Sequence, residues 1–204
     1  MAEVLQVKVG RMLNFSYLVW DGETGEAAVI DPSFDTTAVS DELGRRNLSL
    51  KYVLLTHHHF DHVQEAEHMA SSTGAKIAAH SASPLRADIS LRDGESIPLG
   101  STRIVTIHTP GHTPDSCCYL MDGKVFTGDT LFIGECGRVD LKDSSPDDMY
   151  GSLLVKLRDL PDGTIVFPGH DYGKTPTSTI GKEKESNYTM TPRTRDEFLK
   201  FIRS

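Results

Sequence analysis

Apolar residues in the first third of the chain fall into short runs broken by turn chemistry. Val4 to Val9, Phe15 to Trp20 and Ala27 to Ile30 are separated by Gly10-Arg11 and by Asp21-Gly22-Glu23-Thr24-Gly25. Runs of that length bounded by Gly and Asp predict strands. From about 35 to 47, Ala38, Val39 and Leu43 keep helical spacing, and Lys51 to Leu55 is an apolar run that stops at Thr56. This predicts a helix feeding a buried strand. The cycle repeats with a helix from Asp61 to Ser72, Gly74 past its end, and a strand over Ala75 to Ala79. The second half begins again with strands at Arg103 to His108, Ser116 to Leu120 and Lys124 to Phe126, the last two joined at Met121-Asp122-Gly123. A helix from Pro146 to Leu160, with proline at its start, leads to a strand over Thr164 to Phe167. Beyond Thr175 the chain is polar until a short helix, Thr194 to Ile202. Strands followed by helix and strand in both halves predict an α/β fold of two packed sheets with helices outside, a four-layered αββα sandwich. No sequence repeat links the halves.

Composition narrows the class. At 204 residues and 22.5 kDa a single domain over 1–204 is expected, with about 176–204 as a C-terminal helical segment and not a separate domain. A net charge of -8 and a pI near 5.5 argue against nucleic acid or an anionic membrane as partner, since both demand a basic surface. No apolar run reaches the roughly 18 residues that span a bilayer, and Met1 to Lys8 lacks the regions of a signal peptide. A cytoplasmic protein is expected. The three cysteines, Cys117, Cys118 and Cys136, make a poor disulfide framework and are expected reduced.

The chemistry gathers where predicted strands end. After Tyr52 to Leu55 comes Thr56-His57-His58-His59-Phe60-Asp61-His62. His57 and His59, two apart in an extended turn, can point the same way, and Asp61 and His62 emerge from the next helical turn. His112 follows a strand in Thr109-Pro110-Gly111-His112-Thr113-Pro114, Asp129 in Thr127-Gly128-Asp129-Thr130, and His170 in Pro168-Gly169-His170-Asp171-Tyr172. Singly, each reads as a turn residue. Together, five of the nine histidines lie in loops immediately after apolar strands, and that points to metal.

His-x-His-x-Asp-His, then Gly-His-Thr, Gly-Asp-Thr and Gly-His, over about residues 1 to 175, resemble the metallo-β-lactamase superfamily. The resemblance implies a metal site at one edge of the two sheets. One ion would take His57, His59 and His112, the other Asp61, His62 and His170, with Asp129 bridging. Asp31, after the strand Ala27 to Ile30, would orient the site without binding metal. His58 would point away, and His68, His80 and His108 would have no ligand role. Imidazole and carboxylate ligands suit two divalent ions, zinc, iron or manganese. Two ions about 3.5–4 Å apart can hold a hydroxide at neutral pH, with Asp61 as the catalytic group that orients it or shuttles its proton.

Within the superfamily two branches compete. Thr56 to His62 and Gly128-Asp129-Thr130-Leu131-Phe132 resemble glyoxalase II, a two-metal hydrolase of S-lactoylglutathione thioesters. Gly134-Glu135-Cys136-Gly137-Arg138-Val139-Asp140 and His170-Asp171-Tyr172 resemble persulfide dioxygenase, which uses one Fe(II), expected on His57, His112 and Asp129, to oxidise glutathione persulfide. The hydrolase is the reading adopted, with a small thiol-linked substrate such as a glutathione conjugate as partner. Arg138 and Lys142 are expected to bind a carboxylate of that substrate, and Tyr172 to cover the site. Lys174 and Lys182 are further sources of charge. A homodimer is the prior expectation for a soluble enzyme. A purely structural metal site is disfavoured, because such sites are usually cysteine-rich and closed.

Overall fold

In the computed structural model, which describes residues 1–202, twelve strands form two six-stranded sheets. The first runs β1 (Ala2–Val9), β2 (Asn14–Asp21), β3 (Glu26–Ile30), β4 (Ser49–Leu54), β5 (Lys76–His80) and β6 (Ile89–Leu91), neighbours in that order. The second holds β7 (Ser96–Leu99), β8 (Thr102–His108), β9 (Cys117–Met121), β10 (Lys124–Gly128), β11 (Ile165–Pro168) and β12 (Ser178–Thr179), again in sequence order.

Strand periodicity explains the layering. Along β2, Phe15, Tyr17 and Val19 face the second sheet and meet Phe126, Tyr119 and Phe167 in the central core. The alternate residues Leu18 and Trp20 face outward and are covered by Val39, Leu43 and Met69, from α1 (Thr37–Arg46) and α3 (Ala66–Thr73). A strand buried on both faces reads as a continuous apolar run. The second sheet is covered likewise: Cys118, Val125 and Val166 pack under Met149, Leu153, Leu157, Ile180 and Phe198. The result is the expected αββα sandwich. All three cysteines are free and buried.

Three expectations need correction. The helix predicted over Asp61 to Ser72 is broken into α2 (Phe60–Val63) and α3. Its break has a local cause: the Asp61 carbonyl accepts from Asn14 Nδ2 at 3.0 Å and from the Ser33 hydroxyl, and the Glu65 N–H that would have reached it donates to Pro32 O. The helix from Pro146 is α4 (Pro146–Tyr150) continued by a π-helical stretch, Gly151–Lys156, and a 3-10 turn, Leu157–Asp159. The polar stretch after Thr175 is structured, with β12, α5 (Ile180–Ser186) and a 3-10 turn, Tyr188–Met190, before α6 (Arg195–Ile202). Among the described residues no helix is long and apolar enough to cross a membrane.

Candidate metal centre

Each candidate ligand sits where a strand has just ended. Asp31 follows β3, His57 to His62 follow β4, His112 follows β8, Asp129 follows β10 and His170 follows β11. Parallel pairing of β3 with β4 and of β10 with β11 brings these ends to one rim. Close approach of the two sheets there requires glycine: Gly128 has φ +48°, and a side chain on it would run into Thr56.

Two groups of three result. Ligand atoms of His57, His59 and His112 lie within 4.8 Å of one another, as do those of Asp61, His62 and His170. Asp129 lies between them, with carboxylate oxygens 3.5 Å from His112 Nε2 and 3.3 Å from both His62 Nε2 and His170 Nε2. Six of these seven side chains are buried and His59 is half-buried.

Partners behind the ligands fix which nitrogen faces the centre. His112 Nδ1 donates to Arg138 O at 2.9 Å, and His170 Nδ1 to Met12 O at 2.9 Å. His62 Nδ1 pairs with Asp31 Oδ2 at 3.0 Å, and His57 Nδ1 lies 3.1 Å from the Thr56 hydroxyl. The Nε2 atoms of His57, His62, His112 and His170 are thereby left for the interior. His57 Nε2 and Asp129 Oδ1 are buried without hydrogen-bond partners, a cost that an ion would repay. The donor set therefore fits divalent metal.

Electrostatics agree. Burial, reinforced by neighbouring His62, holds His57 well below the usual histidine pKa, so it stays neutral as a ligand must. Burial acts on His59 in the same direction. For His62 burial is outweighed by Asp129, Asp31 and Asp61, and its pKa rises to about 9. Burial opposes ionisation of Asp129, but His62, His170 and His57 hold its carboxyl well below the ordinary range. In the metal-free protein the His62 imidazolium is thus the positive charge among the carboxylates of Asp31, Asp61 and Asp129.

Asp31 lies behind the candidate ligands, accepting from Thr56 N at 2.8 Å and Thr56 Oγ1 at 2.6 Å. One of its carboxylate oxygens also lies within 4.8 Å of ring nitrogens of His57 and His62. His58 turns to Asp115, 2.7 Å away. His80 and His108 stack on each other at 3.7 Å, and His68 is exposed. Tyr172 stacks on His170 at 4.6 Å, and its hydroxyl donates to Met12 O.

The expected carboxylate clamp is different. Both arms of the Arg138 guanidinium are engaged by Asp140, at 2.8 and 2.9 Å, in an exposed ion pair. It is the Arg138 carbonyl, not the side chain, that reaches the centre. Lys142 is exposed on the same loop. Arg138 and Tyr172 line an open groove of about 430 Å³ with Phe132 and Tyr188, while Lys174 and Lys182 line another of about 730 Å³ beyond Tyr172.

Asn14 is a residue of the candidate site that the motifs do not reveal. Fully buried, its Nδ2 donates to Asp61 Oδ2 at 2.9 Å. The available signal was a polar residue opening an otherwise apolar strand.

A two-sheet sandwich with paired ligand triads on its rim defines a class of metalloenzyme. The profile of the Metallo-beta-lactamase superfamily matches residues 9–84 and 81–170, and the chain belongs to that family. It is 32% identical to the probable polyketide biosynthesis zinc-dependent hydrolase BaeB of Bacillus velezensis, over 98% of this chain and 92% of that protein. It is 33% identical to the mitochondrial persulfide dioxygenase ETHE1 of Homo sapiens, over 93% and 76%. Identity to the hydroxyacylglutathione hydrolase of Maricaulis maris is 37%, over 78% of this chain and 62% of that protein. Among solved structures, ETHE1 from Myxococcus xanthus superposes with a TM-score of 0.93 at 30% identity, covering 99% of this chain and 90% of that one.

Proposed function

We propose that this protein is a metal-dependent hydrolase that cleaves a thioester of the S-lactoylglutathione type. One observation carries the reading: two complete triads, one of three histidines and one of Asp61, His62 and His170, meet at Asp129. His57, His59 and His112 would hold one divalent ion and Asp61, His62 and His170 the other, with Asp129 shared. Such ions supply Lewis acidity, which polarises a carbonyl and makes water nucleophilic near neutral pH.

The chain's own residues then do the rest. Asp61, held by Asn14 and with Oδ2 3.6 Å from both His62 Nε2 and His170 Nε2, would orient the attacking water and take its proton. The new C–O bond forms as the C–S bond breaks, and the proton goes to the departing thiolate. Tyr172, flat on His170 and 54% exposed, forms a wall of the groove in which the thiol portion lies. A cytoplasmic setting and a homodimer belong to the same proposal.

A second reading is a mononuclear Fe(II) persulfide dioxygenase acting on glutathione persulfide. It is favoured by the likeness to ETHE1, which extends over 99% of this chain. Metal content of protein purified without added metal, measured with S-lactoylglutathione hydrolysis and persulfide-dependent oxygen uptake, separates the two. Close to two ions per chain with hydrolysis supports the first reading; one iron per chain with oxygen uptake replaces it with the second.

A further inference from the structure

Residues 131–138, which follow Asp129, form a loop that touches ligands of both triads. The Phe132 ring stands edge-on to His170 at 5.7 Å, and the Arg138 carbonyl accepts from His112 Nδ1. Gly137 lies so close to the Asp129 backbone that a methyl group there would overlap the Asp129 carbonyl oxygen. Leu131 and Cys136 anchor the loop in the core and form a bridge, with bonds of 2.9 Å from Phe132 N to Glu135 O and 3.1 Å from Cys136 N to Glu135 Oε1.

External support comes from the C-terminal segment. Glu183, on α5 and 1% exposed, accepts from Gly134 N at 2.8 Å and from Asn187 Nδ2 at 2.9 Å. Asn187, fully buried, also directs Nδ2 at Phe132 O, 3.3 Å away, and at Glu135 O, 3.1 Å away. The Tyr188 hydroxyl donates to the Glu135 carboxylate. A buried carboxyl and a buried amide are costly unless hydrogen-bonded, and here three of their bonds go to the loop backbone, while Asn187 Oδ1 accepts from Thr189 N and Oγ1.

We propose that Glu183 and Asn187 are positioning residues of the metal centre, holding loop 131–138 so that the Arg138 carbonyl aims His112 and Phe132 braces His170. The C-terminal segment is then part of the site, although Glu183 and Asn187 act on the ligands only through the loop. This rests on the reading of the seven rim side chains as metal ligands.

The test is zinc affinity of the full-length, metal-free protein by competition with a chromophoric chelator, with thermal melts of the same samples. Glu183→Ala should bind zinc about tenfold more weakly, the low end of what partners behind metal ligands contribute. Glu183→Gln, whose amide oxygen can still accept from Gly134 and Asn187, should restore affinity. A purely structural role would lower the melting temperature and leave the affinity of the folded protein unmoved. Folded Glu183→Ala with wild-type affinity overturns the inference. Should that variant not fold, Asn187→Ser decides in the same assay, and wild-type affinity there overturns it too. Wild-type protein that takes up no zinc would defeat the metal reading itself, and the inference with it.

Discussion

Replacing Asp31 with alanine isolates the support beneath the ligands. Asp31 is 2% exposed and holds three groups: Thr56 N, Thr56 Oγ1 and His62 Nδ1. In Asp31→Ala the Thr56 hydroxyl keeps His57 Nδ1 as a neighbour at 3.1 Å. Thr56 N and His62 Nδ1 lose the carboxylate. At about 1–3 kcal/mol for each buried group left unpaired, more where charge is involved, the cost is about 3–5 kcal/mol, the range for breaking a buried ion pair. Position 31 also has φ +48°, a conformation aspartate and asparagine tolerate better than alanine, which adds roughly 1 kcal/mol. Urea titration of metal-free protein at pH 7 should show most of this loss, a large share of the roughly 5–15 kcal/mol that stabilises a typical domain. Asp31→Asn, which keeps the backbone preference and one acceptor oxygen, should lose less than half as much. An Asp31→Ala stability within about 1 kcal/mol of wild type, on the scale of an ordinary surface substitution, would refute the reasoning.

Acidity and loop geometry give two more expectations. The folded pKa of His62, raised to about 9, stabilises metal-free protein fully below the unfolded value of about 6.5, and that contribution is lost as pH rises through 9. His57, held low by burial, and His80, lowered to about 4 by burial and by stacked His108, act oppositely, costing stability as pH falls below about 6.5. Chemical denaturation across pH should therefore show a maximum near neutrality in the metal-free protein, and a monotonic rise from pH 7 to 9 would contradict the His62 assignment. Gly137→Ala should lower hydrolysis by about 100-fold, the scale for displacing catalytic groups by about 1 Å, because the methyl pushes on Asp129 and lies 3.2 Å from His112 Nδ1; wild-type turnover in that variant would show that the loop can yield.

The sandwich and the ligands were legible in the sequence for different reasons. Layering followed from runs such as Phe15 to Trp20, whose two faces both find cover. His57 to His62 announced themselves because four candidate ligands fall within six residues, but their division into triads came only with the resemblance. Nothing local reveals that Asn14 and Ser33 take the Asp61 carbonyl, so the helix break at Gln64 and Glu65 could not be read. Strands β6, β7 and β12 are edge pieces of two to four residues, one containing Pro98, too short for a periodic signal. Glu183 and Asn187 lie in a stretch rich in Lys, Glu and Ser that reads as solvated, and only the tertiary position of loop 131–138 makes them buried. Arg138, expected to meet a substrate carboxylate, pairs in this structure with Asp140 two residues away.

The ligands are divided between the sheets in a way that bears on stability. His57, His59, Asp61 and His62 follow β4 of the first sheet, whereas His112, Asp129 and His170 follow β8, β10 and β11 of the second. Each triad therefore draws on both sheets, and an ion in either one ties the layers together across the rim. Without ions the same edge carries an imidazole-rich cluster in which His59 Nδ1 and His112 Nε2 are 3.0 Å apart, and the Nε2 atoms of His62 and His170 3.3 Å. Binding should thus appear as resistance to unfolding. With zinc at a hundred times its dissociation constant the gain is about 2.7 kcal/mol per site, which for a chain of this size raises the melting temperature by roughly 5–10 °C. His112→Ala, which removes a ligand from the first triad alone, should keep one site's rise, about half of the total given by two filled sites. A melting temperature indifferent to zinc and to chelator would mean that the rim is rigid without metal, and that its histidines serve the fold and not an ion.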